Sequence, residues 1–194
     1  MFIDYLTIQL AAAAAGLFFT AIYGGWYLEA PLEARRSWAW LFWVLGAILG
    51  LTALDTVLTW PLPGPYNIVF GEPALWFGSL LFAAGFAIYG SSDPLPLSLL
   101  ASVGGLIILL CGVDILNDHL TSQPTLAFIA YLASGLGALL LPLGLRSRSV
   151  RPVVQILLVL SAVIFAVTGG GAYLQHAHDF AKWLPPLMRS GGAH

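Results

Sequence analysis

Six stretches of this chain are each long and apolar enough to cross a bilayer, and together they leave little of the 194 residues over. A spanning helix needs about 20 predominantly apolar residues. The segments run over 5–28, 38–59, 74–90, 95–116, 125–144 and 152–174. They predict an all-α fold, a polytopic transmembrane bundle in one domain over 1–174, with a short extracytoplasmic tail at the interface over 175–194. No soluble catalytic domain fits in what remains.

Composition excludes the alternatives. Charged residues make up 8% and apolar residues 59%, whereas soluble domains carry about 25% charge. Such a chain could not cover a water-facing surface, and it is too apolar for disorder. Seven Lys and Arg cannot build a nucleic-acid-binding face. Cys111 is the one cysteine, which removes a disulfide framework. The bilayer is therefore the expected partner. The first segment carries Asp4 where a signal peptide would be basic and is too long for a signal core, so it reads as a retained helix. Cleavage after the run Ala11 to Ala15 is the alternative.

Punctuation agrees with six spans. Pro73, Pro94, Pro124 and Pro152 stand at or near the start of apolar runs, where the missing proline N–H would have no partner anyway. Glu72 and Asp93 precede two of them and complement the helix dipole. Ser122 is a candidate cap for the fifth helix. Orientation follows from the basic residues. The odd-numbered loops hold Arg35, Arg36, Arg146, Arg148 and Arg151, against Lys182 and Arg189 in the tail. That asymmetry places the odd loops in the cytoplasm and both termini outside, in a multi-pass protein of the cell membrane.

A shift of 59 residues lays the segment ending at Asp55 over the segment ending at Asp114 and matches Gly46 to Gly105. It suggests a parallel repeat of two helical hairpins, with coincidence as the alternative. Small residues in helix 1, the pair Gly46 and Gly50, and Ser134, Gly135, Gly137 and Ala138 predict close helix contacts. These serve either the bundle itself or self-association, as a homo-oligomer or within a larger membrane complex.

The polar residues carry the functional candidates. Asp55 and Asp114 each lie about one turn inside the outer end of a helix. A charge at the bilayer centre costs about 2.5–3.5 kcal/mol on insertion scales, less near the interface. Residues that bear such a cost usually face a cavity, a partner or an ion path. With Glu72 they are candidates for a ligand site or proton relay, since adjoining carboxyls raise one pKa; hydrogen bonding to a neighbouring helix is the structural alternative. The loop from Trp60 to Pro73 is stiffened by Pro61, Pro63 and Pro65. It is a candidate lid delivering Tyr66, Asn67 and Glu72 to the two aspartates, or else an interfacial anchor.

His176, His178 and Asp179 follow helix 6, and His119 follows helix 4. Residues two apart on a helix face different ways, whereas His176 and Asp179 share a face. One helix thus supplies part of a site at most, with His119 and Glu72 available to complete it. Such ligands suit zinc, copper or iron, and a b-type haem between His119 and a tail histidine is a further option. The structural alternative is an amphipathic segment with Ala177, Phe180, Ala181 and Leu184 on its apolar stripe, ended by Pro185 and Pro186.

The start Phe2–Thr7, followed by a small-residue helix, and the loop segment Pro63–Pro73 resemble an uncharacterised family of small prokaryotic multi-helix membrane proteins. The resemblance implies prokaryotic origin and a compact bundle, and it carries no catalytic residues across. The sequence has no P-loop, H-E-x-x-H, G-x-S-x-G or C-x-x-C. A non-catalytic binding or accessory subunit with an outward-facing acidic and histidine pocket for a cation, a cofactor or a small ligand such as a quinone is the leading expectation. A proton- or cation-coupled transporter using Asp55 and Asp114 is the second. A membrane metalloenzyme is the third.

Overall fold

A computed structural model describes residues 5–179, and every regular element among them is helical. Helix α1 (Tyr5–Ile22) runs into a π-helical turn, Tyr23–Tyr27, and is followed by α2 (Leu32–Thr59). A second π turn, Asn67–Gly71, leads into α3 (Glu72–Gly90); then come α4 (Leu95–Asn117), α5 (Pro124–Arg146) and α6 (Arg151–Asp179). With their π turns these make six helices among the described residues that are long and apolar enough to cross a membrane. The expected number of spans is therefore observed.

Three boundaries differ from expectation, each for a local reason. Helix α2 starts at Leu32 rather than 38, directly after Pro31, with Glu33 in its first turn. Its charged first turns, with Glu33 suited to the helix N-terminus, extend the helix beyond its apolar core. The proline-rich loop is shorter than expected, because Asn67–Gly71 is already wound onto α3 and Pro73 sits in the first turn of that helix. Helix α6 continues to Asp179, so His176, His178 and Asp179 belong to a spanning helix rather than to a separate interfacial segment. Asp4, Phe180, Ala181, Lys182, Leu184, Pro185, Pro186 and Arg189 lie outside the described residues.

The helices form a ring. Each packs against its neighbours in sequence, and α6 closes the circle on α1. The α2–α3 and α4–α5 hairpins pack most extensively, and the α3–α4 seam is the thinnest of the six. The three odd-numbered loops lie at one end of the ring with the arginines, called here the basic end. Asp55, Glu72, Asp114 and His119 lie towards the other, the acidic end.

Glycine sets the closeness of the two tight hairpins. A Cβ on Gly46 would collide with the backbone of Phe82 in α3, and one on Gly105 would stand 2.8 Å from the Gly135 carbonyl oxygen in α5. In lipid, where apolar side chains gain little by leaving the tails, such backbone approach is what holds helices together. The two glycines related by the 59-residue shift thus perform the same task in successive hairpins.

Polar side chains repair the remaining backbone defects. Pro142 lies inside α5 and brings no N–H to the carbonyl of Ala138, four residues back. Ser102 of α4 donates to that carbonyl at 3.2 Å. Gln155 of α6 likewise donates to the Ala21 carbonyl at 3.0 Å, at the entry to the first π turn. At the basic end Glu29 binds Arg148 at 2.8 Å and Arg151 at 2.9 Å, tying the α1–α2 loop to the α5–α6 corner.

Candidate functional site

The ring surrounds an elongated cavity of about 410 Å³ to which all six helices contribute. Along α1 its lining extends from Leu6 to Leu28, which at 1.5 Å per helical residue is roughly 33 Å. That matches the hydrocarbon thickness of a bilayer, about 30 Å. The wall is chiefly carbon, with Leu10, Phe77, Leu80 and Phe165 among its larger side chains. Small side chains such as Ala84 and Ala138 leave the bore open.

The lining groups left without a protein partner stand towards its ends, while Ser134, nearer mid-height, donates within α5 to the Ala130 carbonyl at 2.9 Å. At the acidic end Gln9, 4% exposed, donates from Nε2 to Thr56 Oγ1 at 2.9 Å, while its Oε1 has no protein partner. Trp76 Nε1 and Thr121 Oγ1, on other walls of the same cavity, are also buried without a partner. Such groups carry a desolvation cost of about 1–3 kcal/mol each when unpaired. Tyr66 lines the cavity here too, stacked on Phe70 with ring centroids 5.8 Å apart. At the basic end Arg35 reaches the phenol of Tyr23, while its Nε is buried without a partner.

The cavity meets a second space of about 390 Å³ at the basic end, and the two share Leu28, Arg35, Pro94 and Leu145. This mouth is also lined by Glu29, Asp93, Arg146 and Arg151. The paired guanidiniums hold the Glu29 carboxyl below the usual carboxylate range, Arg151 through its hydrogen bond first and Arg148 next. The Asp93 carboxylate accepts the Leu95 N–H at 2.9 Å and so caps α4.

The residues singled out from sequence fall into different surroundings. Asp55 is half-buried and its carboxylate faces the Tyr5 phenol of α1. Glu72 and Asp114 are both exposed, and both act electrostatically on the buried thiol of Cys111. None of these three acids lines the axial cavity. Asn67 is fully buried, and its side-chain amide is taken up by the backbone of Leu62, whose N–H donates to Oδ1 at 3.0 Å while Nδ2 donates to its carbonyl. It therefore closes the proline loop instead of reaching a ligand. Of the loop residues expected to face a site, Tyr66 is the one that lines the cavity.

His119, His176 and His178 do not assemble a metal centre among the described residues. Among the described residues no three His, Cys, Asp or Glu side chains lie together as a metal site would need. His119 takes a left-handed backbone conformation (φ 49°) just beyond α4, where Leu120 N–H donates to the Ile115 carbonyl at 3.3 Å. That is a helix C-terminal cap, and it explains an exposed His there. His176 Nδ1 lies 3.3 Å from Thr7 Oγ1 of α1, which ties α6 to α1. His178 and Asp179 are exposed on the last turn of α6.

Sequence reasoning misses Gln9, Arg35 and Trp76 as cavity residues. The signal for Gln9 is present, an amide inside an otherwise apolar span. In the sequence Arg35 is one more charge before the second apolar run, and nothing local distinguishes it from Arg36. The fold separates them: Arg36 donates to the Tyr89 carbonyl at 3.2 Å and lies over the Tyr89 ring, whereas Arg35 points into the cavity mouth.

A closed ring of spanning-length helices around an axial apolar cavity places the chain in the class of polytopic helical membrane proteins. Within that class it belongs to the family described as Protein of unknown function (DUF981), whose model matches residues 1–179. No curated protein and no solved structure matches the chain.

Proposed function

We propose that this protein is a non-catalytic binding protein of the cell membrane that holds an elongated, largely hydrocarbon ligand along the axis of its helix ring. The observation that supports this reading is the cavity itself: carbon-lined, about 410 Å³ and running the length of the spans. Its volume falls within the range of small-molecule sites, roughly 300–1,000 Å³. Apolar cavities give water too few partners to hold it, while a void without contents would forfeit dispersion contacts along its whole wall. A hydrocarbon chain satisfies both conditions. The thin α3–α4 seam offers a chain from the bilayer the easiest way in. In this reading the basic end faces the cytoplasm, as the arginine asymmetry suggests.

The proton- or cation-coupled carrier reading draws no support from the cavity, because Asp55, Glu72 and Asp114 are absent from its wall. A transported ion would meet a chiefly carbon wall with no carboxylate along it.

The test is binding of a long-chain fluorescent probe to the purified protein in a neutral maltoside detergent. Ala84→Phe, which places a ring in the bore, is expected to weaken binding at least about tenfold, the equivalent of 1.4 kcal/mol. Unchanged binding by a variant that remains folded would remove the axial cavity as the site.

A further inference from the structure

Hydrocarbon binding alone selects nothing in a membrane. A chain that leaves the bilayer for a carbon-lined cavity exchanges one apolar environment for another, so it gains little hydrophobic free energy. Affinity and selectivity must then come from the polar ends of the site. The two ends differ in kind. The acidic end offers the cavity neutral groups, Gln9, Trp76 and Thr121, whereas the basic end offers guanidiniums.

The charges at the basic mouth do not balance. Arg35, Arg146 and Arg151 line it together with Glu29 and Asp93. Glu29 is already engaged by Arg148 and Arg151, and Asp93 caps the backbone of α4. These two pairs with Glu29 are the ion pairs found among the described residues, so no carboxylate there is paired with Arg35 or Arg146. Arg35 also belongs to the axial cavity, where its Nε is buried and unpartnered. A donor in that state lacks an acceptor that the protein itself does not supply. Guanidinium donors match the oxygens of carboxylates and phosphates in paired, charge-assisted bonds.

We infer that the basic mouth binds the anionic headgroup, a phosphate or a carboxylate, of the amphiphile whose chain lies in the ring, with Arg35 at the junction of head and tail and Arg146 on the opposite wall. This rests on the chain-binding reading above and extends it to a ligand class, single-chain anionic amphiphiles. Arg151 stays committed to Glu29 and shapes the mouth. The headgroup would lie at the membrane surface on the arginine side, level with the bilayer's own headgroups, so the ligand enters without carrying its charge through hydrocarbon.

The experiment uses the whole protein in neutral maltoside and four probes: palmitate, hexadecyl phosphate, methyl palmitate and inorganic phosphate. Intrinsic tryptophan fluorescence reports binding. The two charged amphiphiles are expected to bind at least about tenfold tighter than the ester, as charge-assisted pairing predicts, with inorganic phosphate far weaker than hexadecyl phosphate. In Arg35→Gln and Arg146→Gln the charged-to-neutral ratio should fall towards one while ester binding persists. Because the ratio is taken within each variant, partial unfolding does not mimic the effect. Arg36→Gln, at a residue held on Tyr89 and outside the mouth lining, should leave the ratio unchanged. Equal binding of ester and acids by the native protein would overturn the headgroup inference and leave the chain reading standing. Failure of every amphiphile to bind would overturn both. Inorganic phosphate binding as tightly as hexadecyl phosphate would overturn the amphiphile in favour of a free anion.

Discussion

Ser102 Oγ donates a hydrogen bond to the Ala138 carbonyl at 3.2 Å, across the α4–α5 interface. The relationship follows from a third residue, distant from Ser102 in sequence and one helical turn beyond Ala138. Pro142 cannot donate to the carbonyl four residues before it, and in a membrane no water replaces the lost donor. Ser102→Ala should therefore lower stability by about 1 kcal/mol, within the range of interhelical bonds in lipid. The same change in a Pro142→Ala background should cost less, because the helix then satisfies Ala138 itself. A double-mutant cycle from thermal melts in detergent measures the coupling, and purely additive effects would contradict it.

The glycine contacts of the two hairpins predict matched sensitivity. Gly46→Val and Gly105→Val each force a side chain into backbone, at Phe82 and at Gly135 respectively. Overpacking of this kind costs about 1–3 kcal/mol. Gly170 in α6 faces open space, with nothing within 4 Å of where a Cβ would stand, so Gly170→Ala should be neutral or stabilising through helix propensity. Melting temperatures in one detergent would show whether the three variants divide in this way.

Acid should loosen the basic end selectively. The Glu29 carboxyl titrates below its ordinary value of 4.5, first through Arg151 and then through Arg148. A depressed folded-state value means that the Glu29 contribution is complete above 4.5 and is lost as the pH falls through the lower, folded-state value. Hydrogen exchange at residues 28–30 and 147–150 should rise over that acidic window. Glu29→Gln should show the raised exchange already at neutral pH, with no further pH step from this site. The pair with Arg148 is exposed, so the effect should also shrink in high salt.

The proline loop depends on one buried amide. Asn67→Ala would remove both bonds to Leu62 and leave a backbone N–H and a carbonyl unpaired in part-buried surroundings, at about 1–3 kcal/mol. Asn67→Asp keeps the acceptor for Leu62 N–H and loses the donor, so it should be intermediate. The Leu62 amide is the reporter, with exchange fastest in the alanine variant.

The location of the spans is legible in the chain because hydrophobic length is a local property. Twenty apolar residues introduced by Pro73, Pro94, Pro124 or Pro152 form a spanning helix whatever surrounds them. The tight hairpins are partly legible for a related reason: Gly46 and Gly105 permit close approach only if some backbone comes near, and a sequential neighbour is the nearest available.

The site is not local. Gln9, Arg35, Ala84 and Phe165 share a cavity only because six helices close into a ring, and closure requires α6 to meet α1 across almost the whole chain. Charge alone draws attention to Asp55, Glu72 and Asp114, since a carboxylate in an apolar helix is costly wherever it points. Its cost does not reveal its direction. The rotation of each helix about its axis is chosen by its two neighbours, and that rotation turned Arg35 into the cavity mouth and Arg36 onto Tyr89. The sequence by itself thus determined that the chain has six helices of membrane-crossing length and which ends carry the arginines. Only the tertiary structure decided which side chains line the axis, because helical phase is set by contacts between residues far apart in sequence.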